Sequence, residues 1–199
     1  MRSSFASIVL ALTLAAGCLR PPAPPPPPVT MVAVLPPGNS TGDLLLVAGG
    51  SLIERYALHS ARVTVPDLLE IEAREFLRAR GVPLVADEAV AAALAERPTA
   101  SAVDAVTALA NAQIAGAALR LDVWRWEPDS DTHPAFVIVG MDATLIDVAS
   151  RRTLWHWRPP LHPIPTPGAV TLGVAYEVAA RAAVAEVLAS WKRADPHPQ

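Results

Sequence analysis

The sequence holds one cysteine, Cys18, and its position divides the chain. Ahead of it, Arg2 and an apolar run from Phe5 to Ala16 lead to the small residues Ala15, Ala16 and Gly17. A charged start, a short apolar stretch and small residues before a cut site form a secretory signal. The run falls short of the ~20 apolar residues that a membrane span needs. A lone cysteine also excludes an intramolecular disulfide, a thiolate metal cluster and a Cys-x-x-Cys redox pair. Behind it, residues 19–29 read LRPPAPPPPPV. Each proline fixes φ and lacks an N–H, so this stretch is expected to be a polyproline II spacer without a core of its own. At ~3.1 Å per residue it reaches roughly 35 Å and should hold the body away from Cys18. The expected organisation is a signal over 1–17, a linker over 18–29, one domain over 30–193 and a disordered tail over 194–199.

With 52% hydrophobic residues in a chain of 199, the main body can bury a core and need not be disordered. The net charge is −3, without blocks of like charge, which gives no electrostatic reason to expect nucleic acid as a partner.

Along the body, Thr30–Leu35 reads as a buried strand ended by the turn residues Pro36, Pro37, Gly38 and Asn39. Leu44–Val47 and Leu52–Leu58 flank Gly49-Gly50 as a hairpin. Thr64 can cap a helix from about Val65 to Arg80, with Leu68, Leu69, Ala73, Phe76 and Leu77 on one face and Glu70, Arg74 and Arg78 opposite. Val82–Val85 reads as a second strand, and Asp87 opens a helix that ends before Pro98. Ser101 and Asp104 have capping-box spacing and start a helix to about Gln113. Ile114–Trp126, Ala135–Val148 and Thr153–Trp157 make an antiparallel meander, its first turn at Pro128-Asp129-Ser130-Asp131. Past the Pro-rich segment Pro159–Pro167, a last helix runs from about Val170 to Lys192 with a stripe of Val174, Val178, Val184, Val187, Leu188 and Trp191. This order predicts an α/β (α+β) sandwich: a mixed, mostly antiparallel sheet flanked by about four helices.

Two sets of residues resemble known families. Leu14-Ala15-Ala16-Gly17-Cys18 resembles the lipobox of bacterial lipoproteins, which implies lipid on Cys18; Leu19, in place of an Asp, implies the outer membrane. Val32-Ala33-Val34-Leu35-Pro36-Pro37-Gly38-Asn39, Gly81–Val85, Ile114–Leu119 and Ala143–Ser150 with Leu154-Trp155 after it resemble, in that order, the TolB amino-terminal-like and CsgG-like envelope lipoproteins. The resemblance implies a lipid-anchored component on the periplasmic face of the outer membrane that binds envelope proteins near that membrane. It leaves oligomerisation open. Members form pores, activate synthases or serve as auxiliary subunits, so the fold alone transfers no role. No long alternating insertion that would supply membrane strands is visible.

Among chemistry-bearing residues, His59, His133, His156, His162 and His197 lack the short helical spacing of a zinc site. There is no G-x-S-x-G elbow, phosphate loop or dinucleotide fingerprint, so no catalytic residue, metal or cofactor is expected. Asn39-Ser40-Thr41 has glycosylation spacing but reads better as a polar turn. Trp124 and Trp126 on one strand, with Trp155 and Trp157 on its neighbour, have the period-two spacing that would gather them into one aromatic patch. Such a patch is a candidate partner surface, because tryptophan anchors interfaces; the alternative, commoner for large aromatics, is that a helix covers it as core. The expected function is therefore non-enzymatic protein binding in an envelope complex. The alternatives are a small-ligand or glycan binder and a periplasmic enzyme whose site no motif reveals.

Overall fold

The computed structural model describes residues 23–47, 63–95 and 101–191. Cys18, the Gly49-Gly50 turn, Leu52–Leu58, His59, His197 and the 194–199 tail lie outside them. The described elements are β1 (Val32–Val34), β2 (Gly38–Asn39), β3 (Leu46–Val47), β4 (Val63–Thr64), α1 (Val65–Ala79), α2 (Asp87–Ala95), α3 (Ala102–Asn111), β5 (Ala117–Pro128), β6 (Phe136–Asp147), β7 (Thr153–Trp157), β8 (His162–Pro165) and α4 (Leu172–Val187). Six strands form one sheet in the order β1-β5-β6-β7, with β2 also on β5 and β8 also on β6. The β1 and β2 pairings with β5 are parallel, and the others are antiparallel. The expected mixed, mostly antiparallel sheet with four helices is the observed fold.

Strand alternation sorts the sheet into two faces. Val32, Val34, Leu119, Leu121, Val123, Met141 and Leu145 belong to one core, beneath α1 and α4. Ala33, Leu35, Ala118 and Ile146 point the other way, into a smaller core with Val90 of α2 and Ala105, Val106 and Leu109 of α3. Each fully buried Val, Leu, Ile or Met side chain among them contributes roughly 1.5–3 kcal/mol.

Local chemistry sets the helix starts. Thr64 and Asp67 form a reciprocal capping box on α1, with Thr64 N–H donating to Asp67 at 2.7 Å. Ser101 caps α3 and Thr171 caps α4. Three helix-level expectations change. Arg74 is not on a solvent face: it is buried, donating to the Val34 carbonyl at 3.1 Å and to Glu70 at 3.0 Å while pairing with Asp87, so it ties α1 to β1 and α2. Phe76 is only partly buried, beneath the Arg80 guanidinium at 4.5 Å. On α4 the contact face is made mainly by Ala175, Tyr176, Ala179, Ala180 and Ala183, with Val184 and Val187, whereas Val174 is exposed. Alanine lets the helix lie close to its neighbours, which a period count over valines does not register.

The Pro segments behave in two ways. Val82–Val85 is not a strand; it makes a single bridge, Leu84 to Val32, because Pro83 has no N–H to extend a ladder. His162–Pro165, inside the Pro-rich segment, is an edge strand on β6 in which Ile164 opposes Val137. The linker likewise departs from a free spacer. Trp155 donates its indole N–H to the Pro24 carbonyl at 2.7 Å, and Pro25–Pro28 with Val29 line a cavity of about 380 Å³ against Val82, Pro83 and Trp191. Polyproline II leaves its carbonyls free and its rings apolar, so an aromatic corner with a spare N–H holds it. The packed body begins near Pro24, and the expected 35 Å stand-off shortens accordingly.

Candidate functional site

The four tryptophans do not form one patch. Pairing between β5 and β6 runs Val123 to Met141 and then Arg125 to Gly140, so Trp124 is the extra residue of a β-bulge. A bulge reverses the facing of the residues beyond it. Trp126 therefore joins the large core, edge-to-face with Tyr176 of α4, ring centroids 5.8 Å apart. Trp155 is buried in the same core against Trp191, and Trp157 is half-buried beside it. Trp124 stays on the opposite face, where its ring lies over Gly140: a Cβ there would meet it at 2.7 Å. The Arg158 guanidinium stacks over the same ring at 5.6 Å.

That opposite face is half covered. Beyond Ala118 and Ile146, where the α2–α3 core ends, its side chains become polar. Asp122 and Asp142 stand directly opposite on β5 and β6, an arrangement that would repel unless each were neutralised. Arg120 grips Asp122 with Nε at 3.0 and 3.2 Å from its two oxygens. Asp142, with a side chain only 10% exposed, is held by His156 Nε2 at 3.1 Å and Arg158 Nη2 at 3.1 Å. Gly38 of β2 passes so close that a Cβ would fall 1.8 Å from Asp122 Oδ1, so a larger residue there would have to push the Asp122 carboxylate aside. The result is a flat, charge-balanced face. Its two carboxylates are committed, while the side chains of Arg158 and His156 are 58% and 47% exposed, and Arg158 retains donors toward solvent.

The remaining described histidines are separate. His162 lies 2.8 Å from Glu186, and His133 sits in the β5–β6 turn. Among the described residues, no group of three or more His, Cys, Asp or Glu is arranged to hold a metal ion. No motif in the sequence singled out Asp142, His156 and Arg158 together. One signal was present: a lone charge inside the apolar run VIVGMDATLI marks a face not wholly buried.

No protein-family model and no curated protein matches the chain. Among solved structures, the chain is similar to the PelC dodecamer protein of Paraburkholderia phytofirmans, at 17% identity and a TM-score of 0.49, covering 87% of this chain and 96% of that one. It is similar to a lipoprotein of Neisseria meningitidis, at 16% identity and a TM-score of 0.45, covering 70% and 84%. A third likeness is to the LpoB C-terminal domain of Salmonella enterica, at 11% identity and a TM-score of 0.40, covering 79% and 92%. Identities this low carry no residue roles across. The solved structures that the chain resembles include a bacterial lipoprotein.

Proposed function

We propose that the chain is a bacterial envelope lipoprotein of the TolB amino-terminal-like or CsgG-like kind, lipidated on Cys18, that binds another protein without catalysing a reaction. It acts at the periplasmic face of the outer membrane, close to its anchor. The lipobox-like run Leu14–Cys18 supports the anchor, and the linker packed from Pro24 onward supports proximity, because only a few residues separate Cys18 from Pro24. The observation that carries protein binding is the half-covered sheet face. There Trp124 and Arg158 stack beside a neutralised Asp122–Asp142 pair, offering a rigid aromatic and a guanidinium, the groups most enriched at interface hot spots. Of the four tryptophans, Trp124 is the proposed partner contact. Trp126, Trp155 and Trp157 serve the core and the linker.

The test joins two measurements. Intact mass of the membrane-extracted protein should show residues 1–17 removed and Cys18 acylated; an unmodified Cys18 overturns the anchor. A photoreactive residue replacing Arg158 should crosslink one dominant envelope protein in cells, whereas one replacing the exposed Val103 of α3 should not. Equal, diffuse crosslinking from both positions overturns the assigned face.

A further inference from the structure

We propose that the mouth between the β2–β3 loop and the β5–β6 turn receives an arginine side chain from a partner protein. This rests on the protein-binding reading above but uses a different place, on the α4 side of the sheet. Trp126 and Tyr176 form its floor, their rings at 86° to one another. Asp43, Glu127 and Asp131 stand around a cavity of about 500 Å³. Glu127 is paired with Arg125 at 2.8 Å, while Asp43 and Asp131 have no ion pair among the described residues.

Tyr176 supplies the independent sign of a ligand. The residue is only 6% exposed, yet its hydroxyl has no hydrogen-bond partner among the described residues, and it is not one of the fully enclosed unpartnered atoms. The tip of this buried side chain therefore opens on the cavity it lines. Asp131 and Asp43 line the same cavity, and burial first, then those two carboxylates, push the Tyr176 pKa up.

Two unpaired carboxylates and a phenol oxygen above a rigid aromatic floor suit a planar cation. A guanidinium is weakly hydrated and divides five donors among several acceptors. An ammonium has three donors and sheds its water less readily. Leu46 at the mouth and Leu44 beside it, 46% and 72% exposed, give the rim an apolar strip for the peptide carrying that side chain.

The test uses the purified full chain and N-acetyl-arginine methylamide as probe, followed through the indole N–H resonances of the tryptophans. The Trp126 signal is assigned by its loss in Trp126→Phe. It should move saturably with the probe while the Trp155 signal stays in place, and the neutral citrulline analogue should have no effect. Asp43→Asn with Asp131→Asn should weaken binding by about tenfold or more, with the other indole signals unmoved as proof of folding. Raising the salt concentration on the unmutated chain should weaken it too, should the double variant fail to fold. A static Trp126 signal, an equal response to citrulline, binding indifferent to salt or to the double variant, or tighter binding of ethanolamine, which would assign the mouth to a lipid amine, overturns the proposal. Failure here leaves crosslinking from Arg158 untouched. Conversely, saturable arginine binding with no Arg158 crosslink removes the Trp124 face and keeps this one.

Discussion

The two faces of the sheet are built from the same strands and end differently. Beneath α1 and α4, β5 and β6 present Leu119, Leu121, Val123, Met141 and Leu145, all buried. On the other side the same strands present Ala118 and Ile146 to α2 and α3, then change to Arg120, Asp122, Asp142 and Thr144 where the described helices no longer reach. Coverage explains the contrast. The 16-residue α4 packs on the sheet with a mostly alanine face, whereas α2, at nine residues, buries only Val90. Where no helix removes water, charges are tolerated if neutralised by neighbours, and a rigid surface remains free for recognition. The closed face supplies stability, and the open one supplies a place to bind.

The contrast breaks first if the closed face does not dominate stability. Leu119→Ala should cost ~2–5 kcal/mol in urea unfolding, since Leu119 is fully buried and a cavity remains. A loss below ~1 kcal/mol would mean that α1 and α4 do not seal that face. Next comes Trp155→Phe, which removes the N–H bound to Pro24 and one of two buried rings. It should cost about 2 kcal/mol, the lost hydrogen bond plus the space left in the core. Deleting residues 23–28 should lower that cost by the hydrogen-bond share, about 1 kcal/mol; an unchanged cost would mean that the bond to Pro24 adds nothing. Smaller still, Asp142→Asn on the open face should cost no more than about 1 kcal/mol, because His156 and Arg158 are half exposed and can turn to water. A loss as large as that of Leu119→Ala would show this face to be a buried ionic core instead.

Two carboxylates sharpen the picture through pH. Burial on α1 raises the Glu70 pKa above its ordinary 4.5, with Arg74 pulling the other way. Its contribution is therefore most favourable below 4.5 and is lost as pH rises through the folded value. Asp147, at the β6 end, is held below its ordinary 3.8 by the hydroxyl and amide of Ser150. Its contribution is present above 3.8 and is lost as pH falls through the folded value. Glu70→Gln should flatten the decline of stability above pH 4.5, and Asp147→Asn should flatten the loss below pH 3.8. Unchanged slopes in unfolding measured across pH 2–7 would reject both assignments.

Periodicity and end signals made much of the fold legible. The capping chemistry of Thr64 and Ser101 and the alternation of β5, β6 and β7 are local, and local preferences decide them. So are the lone Cys18 and the apolar run before it, which need no fold to be read. Tertiary structure alone decided the rest. One extra residue at Trp124 turned a pair of like-spaced tryptophans onto opposite faces, and no count of twos foresees a bulge. Arg74 was drawn inward because a carbonyl of β1 and a carboxylate of α2, both distant in sequence, converge on it. The prolines expected to stand the body off from its anchor became part of the body. Their rings and free carbonyls found the corner that Trp155 and Trp191 make only once β7 and the end of α4 are brought together.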